Sequence, residues 1–191
     1  MDMWSLAGGL ALARMRPVLE LAGAETSRLA EIDDIVAGCS APHVPSGTEK
    51  IDSLRNWRSE IGALEDSSTP SYFQSTAAGV AILVASKELP DADRGWRITS
   101  SIGNFWDSCD DLLQAGDGYS RAEFQGIKTT LRGVEDMWRE GDFHLLTGEG
   151  VDVAKAYAER LSRIRYSYPK RRDIARVVAE CGQWDILGTS L

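Results

Sequence analysis

The apolar residues Leu12, Met15, Leu19 and Ala22, and then Leu29, Ile32, Ile35 and Val36, recur at three- and four-residue steps. That is the spacing of helices with one buried face. Pro17 and Gly23 are expected to break this run, Gly38 to end it, and Ala41 to Gly47 to form a loop around Pro42 and Pro45. Ser46 and Glu49 have capping-box spacing, and Ile51, Leu54, Trp57, Ile61 and Leu64 keep helical register, predicting a helix over 47–64. Thr69 and Pro70 suit the cap and first position of a helix running to Leu89. Ala77 to Ala85 is apolar nearly all round, so this helix is expected at the centre of the molecule, covered on most sides.

After a turn at Pro90–Gly95, Trp96, Ile102, Phe105, Trp106, Cys109, Leu112 and Leu113 trace a further stripe, which Gly116 is placed to cap. Ser120 and Glu123 repeat the capping-box spacing, and Phe124, Ile127, Leu131, Val134 and Trp138 predict a helix over 121–140. Asp142 to Gly150 reads as a surface loop. Val153, Ala154, Tyr157, Leu161 and Ile164 make one more stripe, and Pro169 separates it from a last helix through Ile174, Val177, Val178 and Cys181. Few stretches alternate as strands do, so the pattern predicts a single all-α domain, a bundle of about seven helices over residues 1–191. Leu83, Phe105, Leu131 and Leu161 are expected in its core.

Composition is that of an ordinary globular chain, with 43% hydrophobic and 26% charged residues in 191. Six Trp are expected mostly as core or rim anchors. Cys39, Cys109 and Cys181 are odd in number and widely spaced, which suggests neither a disulfide framework nor a zinc site and fits a reducing compartment. The apolar run Leu6–Ala13 is preceded by Asp2 and followed by Arg14 and Arg16, the reverse of a signal peptide, and no run approaches a membrane span. A cytoplasmic location is the expectation.

The phosphate-cradling and hydrolase motifs are missing: GxxxxGK[ST], GxGxxG, HExxH and GxSxG do not occur, and His43 and His144 are the only histidines, both expected in loops. The carboxylates Asp107, Asp110 and Asp111, with Glu31, Asp34, Glu135 and Asp136, have the three- and four-residue spacing that helical phosphohydrolases use to hold magnesium. Direction argues against that use. At ~100° per residue, Asp107, Asp111, Asp136 and Glu140 point away from their apolar stripes and Glu135 only flanks one. No cofactor or metal is therefore expected. From Lys155 to Arg176 eight basic residues face Glu159 and Asp173, a local charge of +6, leaving −14 for the rest of a −8 chain. Such a body repels nucleic acid and steers basic proteins.

The order of an Ala-rich helix (Tyr72 to Leu89), a Pro90–Asp91 turn, a Trp-rich helix (Trp96 to Leu113) and an amphipathic helix (Phe124 to Trp138) resembles the helical immunity proteins of bacterial polymorphic and contact-dependent toxin systems, over residues 70–140. The resemblance implies a non-catalytic inhibitor that binds a cognate, basic toxin through an acidic face. The expected partner-binding residues are then Asp107, Asp110, Asp111, Asp136 and Glu140. The alternative from the residues alone is a helical enzyme with carboxylate-bound magnesium, or a protein that binds a small ligand between its helices.

Overall fold

The computed structural model describes residues 2–40, 48–61, 66–86, 89–120 and 130–185. These form eight α-helices, α1 (Met3–Leu21), α2 (Thr26–Gly38), α3 (Thr48–Ile61), α4 (Pro70–Ala85), α5 (Asp91–Ala115), α6 (Leu131–Thr147), α7 (Val153–Tyr166) and α8 (Tyr168–Cys181), with a single 3-10 turn at Gly118–Ser120. No strand occurs among the described residues. The all-α bundle predicted from periodicity is what forms. Among the described residues no helix is long and apolar enough to cross a membrane.

Local chemistry accounts for most helix ends. The Asp2 carboxylate accepts from the amides of Trp4 (3.1 Å) and Ser5 (3.4 Å) and starts α1. Thr69 caps α4 through the Tyr72 amide with Pro70 in the first turn, and Gly116 closes α5, both as the sequence indicates. Pro17 does not break α1. The helix runs through it to Leu21, because Arg14, Met15, Val18 and Leu19 around it are all buried and their packing outweighs the lost hydrogen bond. Gly23, at φ +75°, makes the break instead. Likewise Pro90–Gly95 is not a turn: Pro90 is the N-cap and Asp91 and Asp93 sit in the first turn of α5, where the helix dipole favours them.

The buried residues make one continuous cluster contributed by every helix. The Ala-rich α4 lies within it and packs against α1, α2, α3 and α5, while α1 shares the centre, touching α2, α4, α5, α6, α7 and α8. Phe105, Leu131 and Leu161 are buried, whereas Leu83 is only partly so. Phe73 joins the core aromatics, edge-on to Phe105 at 5.1 Å and tilted against Trp184 at 4.9 Å. The backbone contact that seats α1 is made by Gly9, where an added Cβ would stand 2.6 Å from the Tyr157 hydroxyl and 2.8 Å from the Cys39 sulfur.

Candidate functional site

Of the helix predicted over 121–140, the part from Leu131 on is described, as a helix that begins at Leu131 and runs past 140. Residues 121–129, with Phe124 and Ile127, lie outside the described residues, as do Ser46 and His43. Thr130 is extended and caps α6, its hydroxyl accepting from the Gly133 amide at 3.0 Å. Asp110 on α5 completes the cap from across the interface, its carboxylate accepting from the amides of Leu131 (2.7 Å) and Arg132 (2.9 Å) and from the Tyr119 hydroxyl. With that start, α6 continues to Thr147, so Asp142 and His144, expected in a surface loop, are helical.

That extension changes what α6 buries. Glu135 and Asp142, two turns apart, share one face and are 3% and 0% exposed. Arg14, 1% exposed on α1, meets both. Its Nε and Nη2 donate to the two Glu135 oxygens at 2.7 and 2.6 Å, a bidentate pair, and its Nη1 donates to Asp142 at 2.6 Å. Arg160 from α7 donates to the other Asp142 oxygen at 2.5 Å. Burial works against the Arg14 charge, but Glu135 and Asp142 outweigh it and hold the guanidinium above its ordinary pKa. Trp138, between Glu135 and Asp142 on α6, carries the guanidiniums of Arg14, Arg160 and Arg171 at 5.8, 5.2 and 4.4 Å from its ring centroid.

Beside this network, α1, α5, α6 and α8 enclose a cavity of about 190 Å³ with Val18, Trp106, Leu131, Val134, Trp138 and Ile174 in its walls. Arg14, Glu135, Arg171, Ser167 and Lys170 supply its polar lining. Arg171 donates through Nε to the Ser167 hydroxyl at 3.0 Å, and no carboxylate among the described residues lies within ion-pair reach of it. Burial, with the like charges of Arg14 and Arg160, pushes Arg171 down to about 10. The Trp106 indole N–H is buried without a hydrogen-bond partner.

The residues singled out in the sequence lie on the opposite flank of α6 and on the outer face of α5. Asp107, Asp111 and Glu140 are exposed and Asp136 is half-buried, so the predicted outward direction holds. Their charges are not all free: Arg132 bridges Asp107 (2.8 Å) and Asp136 (3.0 Å), and Arg139 also holds Asp136 at 2.8 Å. Glu140 lies 3.9 Å from His144, and Asp111 has no ion-pair partner among the described residues. Asp110 is half-buried, with its carboxylate engaged by the α6 cap and the Tyr119 hydroxyl. Glu135, spent on Arg14, is not at a flank as the spacing suggested. Among the described residues no three His, Cys, Asp or Glu converge as metal ligands.

Next to these carboxylates an open groove of about 470 Å³ runs between α1, α5 and α6, floored by Trp4, Ile98, Ile102 and Phe143 and edged by Asp136 and Glu140. Trp4 and Phe143 pack at 6.2 Å, and Trp96 and Met137 stand exposed on the same two helices α5 and α6. The basic segment divides: Arg160 and Arg171 turn into the network, while Lys155, Arg163, Arg165 and Arg172 face solvent. Sequence reasoning missed the Arg14 network, although a charged residue closing the apolar run Leu6–Ala13 was its one visible signal. No family model matches this chain, and no match emerges from the curated proteins or the solved structures.

Proposed function

We propose that the chain is a non-catalytic binding protein that takes a basic protein partner on the outer face of α5 and α6, and that it serves as an immunity protein neutralising a cognate bacterial toxin. The observation that carries this reading is the coincidence of exposed apolar side chains with carboxylates on that face. Trp96, Met137 and Phe143 are 70%, 59% and 41% exposed on the same two helices that carry Asp107, Asp111, Asp136 and Glu140, and Phe143 lines the groove with Trp4, Asp136 and Glu140. Large apolar groups ringed by charge are the anatomy of a protein interface, in which the aromatics anchor and the rim charges steer. The ties of Arg132 and Arg139 hold Asp107 and Asp136 in place before a partner arrives, which lowers the entropy lost on binding. A net charge of −8 favours a basic partner. The toxin as partner rests on the resemblance of residues 70–140.

The test is kinetic. With a partner captured from the native host, Asp111→Asn combined with Glu140→Gln is expected to slow association about five-fold at low salt, and Trp96→Ala to weaken affinity about ten-fold. Both variants should unfold within about 0.5 kcal/mol of the wild type, because the side chains are exposed. An association rate indifferent to salt and to all three substitutions would reject this face.

A further inference from the structure

The network on the other flank of α6, with Arg14, Glu135 and Asp142 buried and Arg160 and Arg171 half-buried, carries one more positive than negative charge. Arg14, Arg160 and Arg171 face Glu135 and Asp142, and the two carboxylates are already engaged by Arg14 and Arg160. Arg171 is only partly exposed, and a cation taken partly out of water without an ion-pair partner is costly; cation–π contact with Trp138 offsets part of that cost. Arg171 uses its Nε on Ser167, while its two terminal nitrogens donate to nothing in the described structure. That leaves a planar pair of donors of the shape a carboxylate accepts bidentately.

The cavity at this guanidinium is lined mostly by apolar side chains, with Arg14, Glu135, Ser167 and Lys170 also along it and both Glu135 oxygens already held by Arg14, and its volume of about 190 Å³ is somewhat larger than the roughly 150 Å³ of an engineered cavity that accepts benzene. Trp106, 6% exposed in its wall, carries the buried indole N–H that lacks an acceptor. We propose that this cavity between α1, α6 and α8 binds a small monocarboxylate with an apolar body about the size of one ring, its carboxylate on Arg171 and its body between Val18, Val134 and Ile174. A monoanion matches the single excess charge. A phosphate dianion overshoots that charge and leaves the apolar walls unfilled. Lys170, exposed at the edge of the cavity, adds attraction at its mouth. The site is independent of the α5–α6 face, since Leu131, Val134 and Trp138 lie on the side of α6 turned away from Asp136 and Glu140.

The experiment uses the full chain with sodium benzoate and sodium isovalerate as probes, benzamide as the neutral isostere, and inorganic phosphate, each to 10 mM at constant ionic strength, read by calorimetry and melting temperature. At least one carboxylate is expected to bind saturably and raise the Tm by about 3 °C, with benzamide and phosphate at least ten-fold weaker. Arg171→Met should lose at least ten-fold in affinity and Arg171→Lys less. Val134→Phe, which fills the cavity without touching its charge, should abolish binding. If Arg171→Met does not fold, Val134→Phe and the benzoate–benzamide comparison on the wild type decide. Absence of carboxylate binding at 10 mM, equal binding of benzamide or phosphate, or binding undiminished by Arg171→Met or by Val134→Phe would each overturn the proposal.

Discussion

Asp110 and Asp111 are adjacent in the chain, yet they do different work. A helix turns ~100° per residue, and that step takes Asp110 to the side of α5 that faces α6 and leaves Asp111 in water. Asp110 satisfies two amides of the α6 first turn that have no partner within their own helix. Replacing a capping oxygen leaves those donors unpaired, so Asp110→Ala should lower stability by about 1–2 kcal/mol in urea unfolding. Asp111→Ala should stay within about 0.5 kcal/mol. Equal, small losses at both positions would remove the cross-helix cap. Thiol chemistry follows burial in the same way, which raises Cys109 well above its ordinary value and Cys39 to about 11 and makes both poor nucleophiles at neutral pH.

Among the elements, α1 is held by close approach as much as by apolar area. The Tyr157 hydroxyl of α7 donates to the Val36 carbonyl of α2 at 2.6 Å, so the ring cannot retreat from the α1 backbone without breaking a buried hydrogen bond. Gly9→Ala pushes a methyl against that hydroxyl and against Cys39, and overpacking of this kind costs about 1–3 kcal/mol. Thermal and urea unfolding of the variant check it. A loss below about 0.5 kcal/mol would mean that α2 and α7 can slide apart freely. The N-terminal end of α1 is clamped by Arg94, which reaches Asp2 at 2.5 Å, Asp91 at 2.7 Å and the Ser86 carbonyl at 3.0 Å, and so ties α1, the end of α4 and the start of α5.

For the molecule as a whole, the Arg14 network joins the first helix to α6 through the buried charges of Arg14, Glu135 and Asp142, and to α7 through the half-buried Arg160. Removing one member of a buried pair strands its partner, which costs about 3–5 kcal/mol, whereas removing both Arg14 and Glu135 leaves only Asp142 short of one partner, with Arg160 still on it. Arg14→Met and Glu135→Gln should each destabilise by that order, and the double variant by clearly less than their sum. A double-mutant cycle in urea measures this, and simple additivity would mean that the two side chains do not depend on one another.

The sequence by itself determined the helical class, the apolar face of most helices, and the ends of α4 and α5 at Thr69–Pro70 and Gly116, because periodicity and capping act within a few residues of the chain. It also carried the outward direction of Asp107, Asp111, Asp136 and Glu140. Tertiary structure alone decided where α6 begins, since the Asp110 carboxylate that completes its cap comes from another helix. It also decided that Glu135 and Asp142 are interior, because the arginine that makes their burial tolerable lies 121 and 128 positions away in sequence. A helical period records which face of an element is apolar. Which charges meet across two faces depends on how the helices are placed, and no local spacing encodes that.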